Sequence, residues 1–284
     1  GVDFVGGRSY IVRFEQPVSQ EKIQSNLIQV LGNAEVKTFG SDNQLKITTN
    51  YKVDTDSSDV DDEINNILFT DLNEFMPENI AYEDFVVNGD ENKQAGVMSS
   101  IKVGPTIADD IKKNSFYAVF GSLIIVFLYI LLRFKDWQFS LGAVSAVFHD
   151  VLVVLGIFSL TYTFMPFSME INQAFIAAIL TVIGYSLNDT VVVFDRIREY
   201  FGEHKNWELD KNINSALNST LSRTLNTSLT TLIVLLAIFI FGGESIRGFM
   251  FALIIGVLVG TYSSVFIATP VMYDTQKHKE VEEA

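Results

Sequence analysis

Three ionisable residues stand inside or beside the longest uncharged stretches of the sequence: Asp150, Asp189 and Arg223. A charge near the centre of a membrane-spanning helix costs at least about 2.5–3.5 kcal/mol, so residues of this kind are rare there unless they carry protons, bind ions or pair with one another. The three residues are therefore our candidates for proton chemistry, and the elements that hold them must be membrane helices.

Asp189 and Arg223 are predicted to lie at the same depth. Asp189 lies six residues before Asp195, where the uncharged stretch ends, which is about 9 Å of helix at 1.5 Å per residue. Arg223 lies a similar distance beyond Ala216 on the next helix, which enters from the same side. A carboxylate and a guanidinium at one depth can pair, and protonation of Asp189 would release Arg223. The alternative is a static ion pair that only fixes helix register.

Hydroxyl side chains follow Arg223 at helical spacing. One row is Thr227 and Thr231, and a second is Thr220, Thr224 and Ser228. They either line a polar path or bond carbonyl groups of their own helix. Asn188, beside Asp189, is a further supporting candidate.

Asp150 is the weaker proton-path candidate. It shares a helix face with Gly142 and Ala146, which indicates a packed interface rather than lipid. His149 beside it is expected to hydrogen-bond across helices.

The charge distribution separates two regions. Residues 1–113 hold 10 Lys+Arg and 20 Asp+Glu, whereas the remainder holds 10 and 14. The second region contains uncharged stretches long enough to cross a hydrocarbon core of about 30 Å. We predict a domain over 1–105, followed by a transmembrane bundle over 106–284 with spans near 114–132, 138–164, 172–194, 222–242 and 248–273.

The first region has the pattern of an α+β domain. Alternation at Tyr10, Val12 and Phe14 predicts a strand, and a helix follows from an N-cap at Ser19 to Gly32. Strands at 35–39 and 44–49, a helix over 60–75 and a strand at 98–103 complete the order β-α-β-β-α-β. This order is that of a ferredoxin-like domain.

The loops predict an orientation. If the first domain is extracytoplasmic, the short outer loops hold only Arg247, and the inner ones hold Arg133, Lys135, Arg196, Arg198, Lys205, Lys211, Lys277 and Lys279. The positive-inside rule then places the C-terminus in the cytoplasm. An exported domain needs a preceding signal or span, so we expect a further span upstream of Gly1.

Small residues recur every four positions along the last span: Gly248, Ala252, Gly256, Gly260, Ser264 and Ala268. Such a ladder lets two helix backbones approach closely, so Gly248, Gly256 and Gly260 are candidate helix-packing residues.

Composition counts against several functions. The net charge of −14 disfavours nucleic-acid binding, and a chain without cysteine has no thiol nucleophile or cysteine-bound metal. Two membrane aspartates suggest an intramembrane protease, but neither Asp150, which follows His149, nor Asp189, which follows Asn188, stands in a Tyr-Asp or Gly-x-Gly-Asp motif. We expect no enzyme activity, catalytic residue, metal or cofactor, and protons as the coupling ion.

Five motifs in order resemble the SecF family of the RND superfamily: GVDFVGG at 1–7, HDV at 149–151, GYSLNDTVVVFDRIRE at 184–199, TLSRTLNTSLTT at 220–231 and GTYSS at 260–264. The resemblance covers the whole chain. It implies a multi-pass protein of the bacterial inner membrane with a periplasmic first domain, which uses the proton-motive force in late translocation of unfolded exported proteins. It places the family's carboxylate at Asp189 and its arginine at Arg223.

The implied partners are SecD, as a separate chain or fused upstream, the SecYEG channel and YidC. One departure is that the family has a span before the glycine-rich motif with which this chain begins. Two alternatives remain: an RND-type exporter half for lipids or small molecules, and a structural subunit with an inert ion pair. The small outer domain, without long insertions for a solute funnel, favours protein export.

Overall fold

The structure, a computed structural model, describes residues 1–55, 58–78, 80–86 and 93–283. It forms two compact units. The first consists of Gly1–Ser115 together with Phe164–Gln173 and Gly243–Gly248, and the second of Phe116–Thr163, Ala174–Gly242 and Phe249–Ala284. The first unit therefore includes two segments that connect apolar helices.

The first unit contains an antiparallel sheet with helices between its strands. Its elements are α1 (Val2–Val5), β1 (Gly7–Arg13), α2 (Gln20–Leu31), β2 (Glu35–Phe39), β3 (Ser41–Thr49), α3 (Ser58–Leu72), a 3₁₀ turn (Asn73–Phe75), α4 (Tyr82–Phe85) and β4 (Gly96–Val103). The strand order is β2-β3-β1-β4, with antiparallel neighbours throughout. The predicted ferredoxin-like α+β fold is confirmed.

One apolar core lies between the sheet and the two longer helices of this unit. Tyr10 and Val12 of β1 point into it, as do Ile23 and Leu27 of α2 and Leu68 of α3. These side chains alternate in the strand and recur every three to four residues in the helices. Their burial stabilises the strand and the helices that the sequence pattern predicts.

The turn between β2 and β3 is shorter than predicted. The sequence 40–43 has the composition of a four-residue turn, yet β3 already begins at Ser41. The reason is Asn43, whose carbonyl oxygen accepts from the Phe14 N–H at 2.8 Å and whose amide donates to the Phe14 carbonyl oxygen at 2.8 Å. Gly40, with φ 84°, makes the tight reversal.

Five helical segments long and apolar enough to cross a membrane follow within the described residues. They are α5 (Pro105–Phe134), α6 (Trp137–Thr161), α7 (Gln173–Glu203), α8 (Leu209–Phe241) and α9 (Glu244–Ser263), which continues through a π-helical turn (Ser264–Ala268) into α10 (Thr269–Glu283). Several helices extend beyond the uncharged stretches, α7 by nine residues past 194. The side chain of Lys279, one of the predicted inner cations, lies outside the described residues.

Two of these helices are poorly covered by the rest of the chain. Only 11% of the most apolar window of α8 and 17% of that of α5 are buried, against 44–50% for the others. The apolar faces of α5 and α8 are therefore open within this chain.

Candidate proton-coupling site

Asp150 of α6 is a buried carboxylate held by three neighbours. Its Oδ2 accepts hydrogen bonds from Ser186 Oγ of α7 at 2.5 Å and from Ser263 Oγ of α9 at 2.8 Å. Nδ1 of His149 lies 3.1 Å from its Oδ1. Three helices thus meet at this carboxylate, and its oxygen atoms are well supplied with partners.

His149 does not make the hydrogen bond across helices that we expected. Within the described part of the chain its recorded partner is Asp150, the next residue on α6. Successive side chains of a helix point in directions about 100° apart, so the buried position of Asp150 leaves His149 at the edge of the interface. Its side chain is 33% exposed, and its ring centroid lies 6.3 Å from that of Tyr262.

Asp189 of α7 is also buried, but its hydrogen bond is longer than those of Asp150. Its Oδ2 accepts from Ser228 Oγ of α8 at 3.3 Å. The same Ser228 oxygen lies only 2.6 Å from Thr261 Oγ1 of α9, and Thr261 donates to the Val257 carbonyl oxygen at 2.8 Å. Because Ser228 has a single hydroxyl hydrogen, its bond to Asp189 competes with the shorter one to Thr261.

The predicted ion pair of Asp189 with Arg223 is not formed. Among the ion pairs of the described residues none joins the two side chains, and Arg223 is exposed on α8. The cause is angular position. Thr224 and Ser228 occupy the inward face of α8, and Arg223, one residue before Thr224, lies about 100° around the helix from it, so that its charge still acts on Asp189 but the two side chains form no ion pair. Equal depth is necessary for a pair, but it does not set the direction of a side chain.

The two hydroxyl rows on α8 differ in the same way. In the outer row, Thr227 donates to the Arg223 carbonyl oxygen and Thr231 to the Thr227 carbonyl oxygen, both at 3.0 Å. Both hydroxyl groups thus donate to the backbone of their own helix, and Thr231 Oγ1 also accepts from the Tyr185 hydroxyl of α7 at 3.5 Å. The inner row is buried and supplies Ser228. Asn188 is exposed on α7.

An apolar cavity of about 550 Å³ lies between α8 and α9 with its π-helical turn. Ser228 and Thr261, the hydroxyl groups that connect to Asp189, are on its wall among leucine and aromatic side chains. The hydrogen-bond partners of Asp189 therefore border an opening, whereas Asp150 is enclosed. No three His, Asp or Glu side chains of the described residues converge as ligands for a metal.

The small-residue ladder packs tightly. A Cβ atom added at Gly256 would collide with the side chain of Val182, and one at Gly260 would lie 3.0 Å from Cβ of Ser186, both on α7. A Cβ atom at Gly248 would lie 2.5 Å from the Ser168 carbonyl oxygen. The close approach of α9 to α7 places Gly260 beside Ser186, whereas the bond of Ser263 to Asp150 joins α9 to α6, against which the following π-helical turn and α10 pack.

Sequence reasoning missed Ser186, Ser263 and Thr261 as hydrogen-bond partners. A signal was present, since Ser186 lies three residues before Asp189 on the same face of α7. Ser263 lies beside the ladder, but its bond to Asp150 depends on how the last span packs against α6. This packing is not evident from the sequence pattern.

The fold and the site define a multi-pass membrane protein with a ferredoxin-like domain and buried carboxylates between its spans. Residues 85–278 match the family described as protein export membrane protein SecD/SecF, C-terminal. The chain belongs to this SecD/SecF family of protein-export membrane proteins.

Relatives cover most of the chain. The protein translocase subunit SecF of Rhodothermus marinus is 44% identical over 275 residues, which are 96% of this chain and 82% of the relative. The SecF subunit of Thermodesulfovibrio yellowstonii is 38% identical over 275 residues, with the same coverage. A crystal structure of SecDF in its super-membrane-facing form is similar over 100% of this chain, with a TM-score of 0.64 and 30% identity, and this chain spans 35% of that SecDF chain.

Proposed function

We propose that this chain is a SecF-type subunit that couples proton movement across the membrane to protein translocation, and that Asp189 gains and loses the proton. The observation that carries the proposal is the contrast between the two buried carboxylates. Asp150 has three close partners, whereas the hydroxyl that donates to Asp189, that of Ser228, is 3.3 Å away and lines an open cavity. Asp189 therefore has a weaker set of hydrogen bonds to exchange than Asp150 when it gains or loses a proton.

Protonation of Asp189 would change the contacts between three helices. An ionised carboxylate only accepts hydrogen bonds, whereas a protonated one also donates one. A donated hydrogen bond to Ser228 would free the serine hydrogen for Thr261, so that α7, α8 and α9 are connected differently in the two states. Coupling of proton movement to transport requires two arrangements of the helices in which Asp189 has different proton affinities.

Arg223 is assigned to the interface with a second subunit. A guanidinium on the exposed face of a membrane helix is costly unless it meets a carboxylate or water. The apolar faces of α5 and α8, which are open within this chain, also offer a surface for a second subunit. SecD is the proposed partner, and a carboxylate of SecD is the proposed counter-charge for Arg223 when Asp189 is protonated. This replaces the direct pair of the sequence prediction.

We propose the wider assembly by analogy with the family. We place the ferredoxin-like domain in the periplasm and the C-terminus in the cytoplasm, as the positive-inside rule favours. SecYEG, YidC and unfolded exported proteins are the proposed partners in the inner membrane. The protein transports rather than catalyses, with the proton gradient as its energy source and no cofactor.

The test is translocation into vesicles that contain the full chain with SecD and the channel. Asp189→Asn and Arg223→Met are expected to remove the stimulation by an imposed proton gradient, while assembly with SecD is retained. Asp195→Asn is the matched control, because Asp195 lies on the same helix but is exposed and pairs with Arg133. Unchanged stimulation in both variants would refute the proposal.

A further inference from the structure

The connection between α6 and α7 is attached to the ferredoxin-like domain rather than loose. Residues Phe164–Gln173, which we call the strap, belong to the same compact unit as that domain. Phe167 and Met169 of the strap are 4% and 2% exposed. A short loop that buries its apolar side chains in this way is a packed element of the unit.

A buried charge anchors the strap to the sheet. The carboxylate of Glu170 accepts from Lys46 Nζ at 2.7 Å and from Thr48 Oγ1 at 3.1 Å, both residues of β3. The side chains of Glu170 and Lys46 are 6% and 18% exposed, so the pair is largely out of water. Removal of one member would leave the other buried without its partner, which is far more disruptive than loss of a surface pair.

A second carboxylate holds the start of α7. Asp3 of α1 accepts from the Gln173 N–H at 3.0 Å, and Gln173 is the first residue of α7. The first N–H groups of a helix lack partners within it, and a negative charge there is favourable. The domain thus supplies the cap for the helix that carries Asp189. This gives Asp3, within the glycine-rich motif at 1–7, a structural role.

We propose that the strap transmits movement between the ferredoxin-like domain and α7, with Asp3, Lys46 and Glu170 as positioning residues for the proton-coupled step. From Gln173 to Asp189 is one uninterrupted helix, about 24 Å long at 1.5 Å per residue. A helix of this length transmits a shift of one end to the other, so a displacement around Asp189 would reach the sheet through the two anchors. This inference rests on the proposed function.

The first measurement concerns the anchors alone and does not depend on proton coupling. Hydrogen exchange of the full chain with SecD would follow the amides of the strap and of the first turn of α7. Glu170→Gln and Lys46→Met are expected to accelerate this exchange by roughly tenfold or more, since a hydrogen bond to a charged group is lost. The matched control is Glu63→Gln, which removes a carboxylate from the exposed pair with Lys52 in the same domain.

The second measurement is gradient-stimulated translocation by the same variants. We expect Glu170→Gln and Lys46→Met to lower the stimulation severalfold, Glu63→Gln to leave it unchanged, and the exchanged pair Lys46→Glu with Glu170→Lys to recover part of it. Because the chain has no cysteine, Lys46→Cys with Glu170→Cys can also be joined by a flexible thiol cross-linker. The cross-link should restore stimulation, since the anchor is proposed to stay closed.

The results separate this inference from the proposed function. Faster exchange with full stimulation in Glu170→Gln would overturn the role of the strap, provided that Asp189→Asn loses stimulation. Unchanged exchange in both anchor variants, or a cross-link that blocks translocation, would also overturn it. Full stimulation in Asp189→Asn would instead refute the proposed function. A variant that fails to fold is replaced by the cross-linked pair, which retains the attachment.

Discussion

Addition of one methyl group at Gly256 tests the packing that brings the site together. A Cβ atom there would overlap Cγ2 of Val182 and lie 2.8 Å from its Cγ1 and 2.9 Å from its Cβ. Valine on a helix has one strongly preferred rotamer, so this side chain cannot turn aside. Gly256→Ala must therefore push α9 away from α7.

The matched control is Gly156→Ala on α6, where an added Cβ would meet nothing within 4 Å. Both variants gain the same helix propensity, about 0.8–1.0 kcal/mol. Overpacking at Gly256 costs about 1–3 kcal/mol. Because propensity cancels between the two variants, we expect Gly256→Ala to be less stable than Gly156→Ala by about 1–3 kcal/mol.

The free energy of unfolding of the full chain in detergent micelles measures this difference. Trp137 and Trp207 provide a fluorescence signal. The control is expected to be as stable as the original chain or slightly more stable. Equal stability of the two variants would mean that Gly256 and Val182 are not in close contact in the folded chain, and the tight packing of α9 against α7 would be refuted.

Two further predictions concern the ferredoxin-like domain. Burial raises the pKa of the Asp61 carboxyl, but hydrogen bonds from Arg8 and Lys102 outweigh it and hold the pKa below its usual 3.8. A lowered pKa contributes stability above the unfolded value that is lost as pH falls through the folded value. Asp61→Asn should therefore have a lower free energy of unfolding than the original chain near neutral pH. Acid titrations of unfolding should show this difference in free energy shrinking below pH 3.8. A difference that does not depend on pH would contradict the prediction. Leu68→Ala, at a fully buried site, should lower the free energy of unfolding by about 2–5 kcal/mol. Ile28→Ala, at a residue 42% exposed, should change it by less than about 0.5 kcal/mol in the same denaturation assay, and equal losses would refute the assigned core.

The sequence predicted the ferredoxin-like domain well because its signals are local. The alternation around Tyr10 and the helical spacing of Ile23 and Leu27 need no knowledge of distant residues. Ser19 accepts from the Lys22 N–H at 3.4 Å, as its N-cap pattern indicates. The start of β3 was wrong because Asn43 pairs with Phe14, which is distant in sequence. Such long-range hydrogen bonds leave no periodic trace.

The candidate site was predicted in part. Asp150 and Asp189 were recognisable in the sequence because each lies within a long apolar stretch, where a carboxylate is costly. The partner of Asp189 was wrong, since depth along α8 says nothing about which way Arg223 points. Ser263 meets Asp150 because the last span packs against α6. Tertiary packing determines the direction of Arg223 and the position of Ser263, and the sequence pattern contains no information on either.

The central claim is that Asp189 carries the proton. The most direct measurement is proton uptake into vesicles that contain the full chain with SecD and an engaged substrate, followed by a pH-sensitive dye inside the vesicles. We predict that Asp189→Asn abolishes substrate-dependent uptake while Asp195→Asn leaves it unchanged. Uptake by Asp189→Asn at the rate of the original protein would contradict the account.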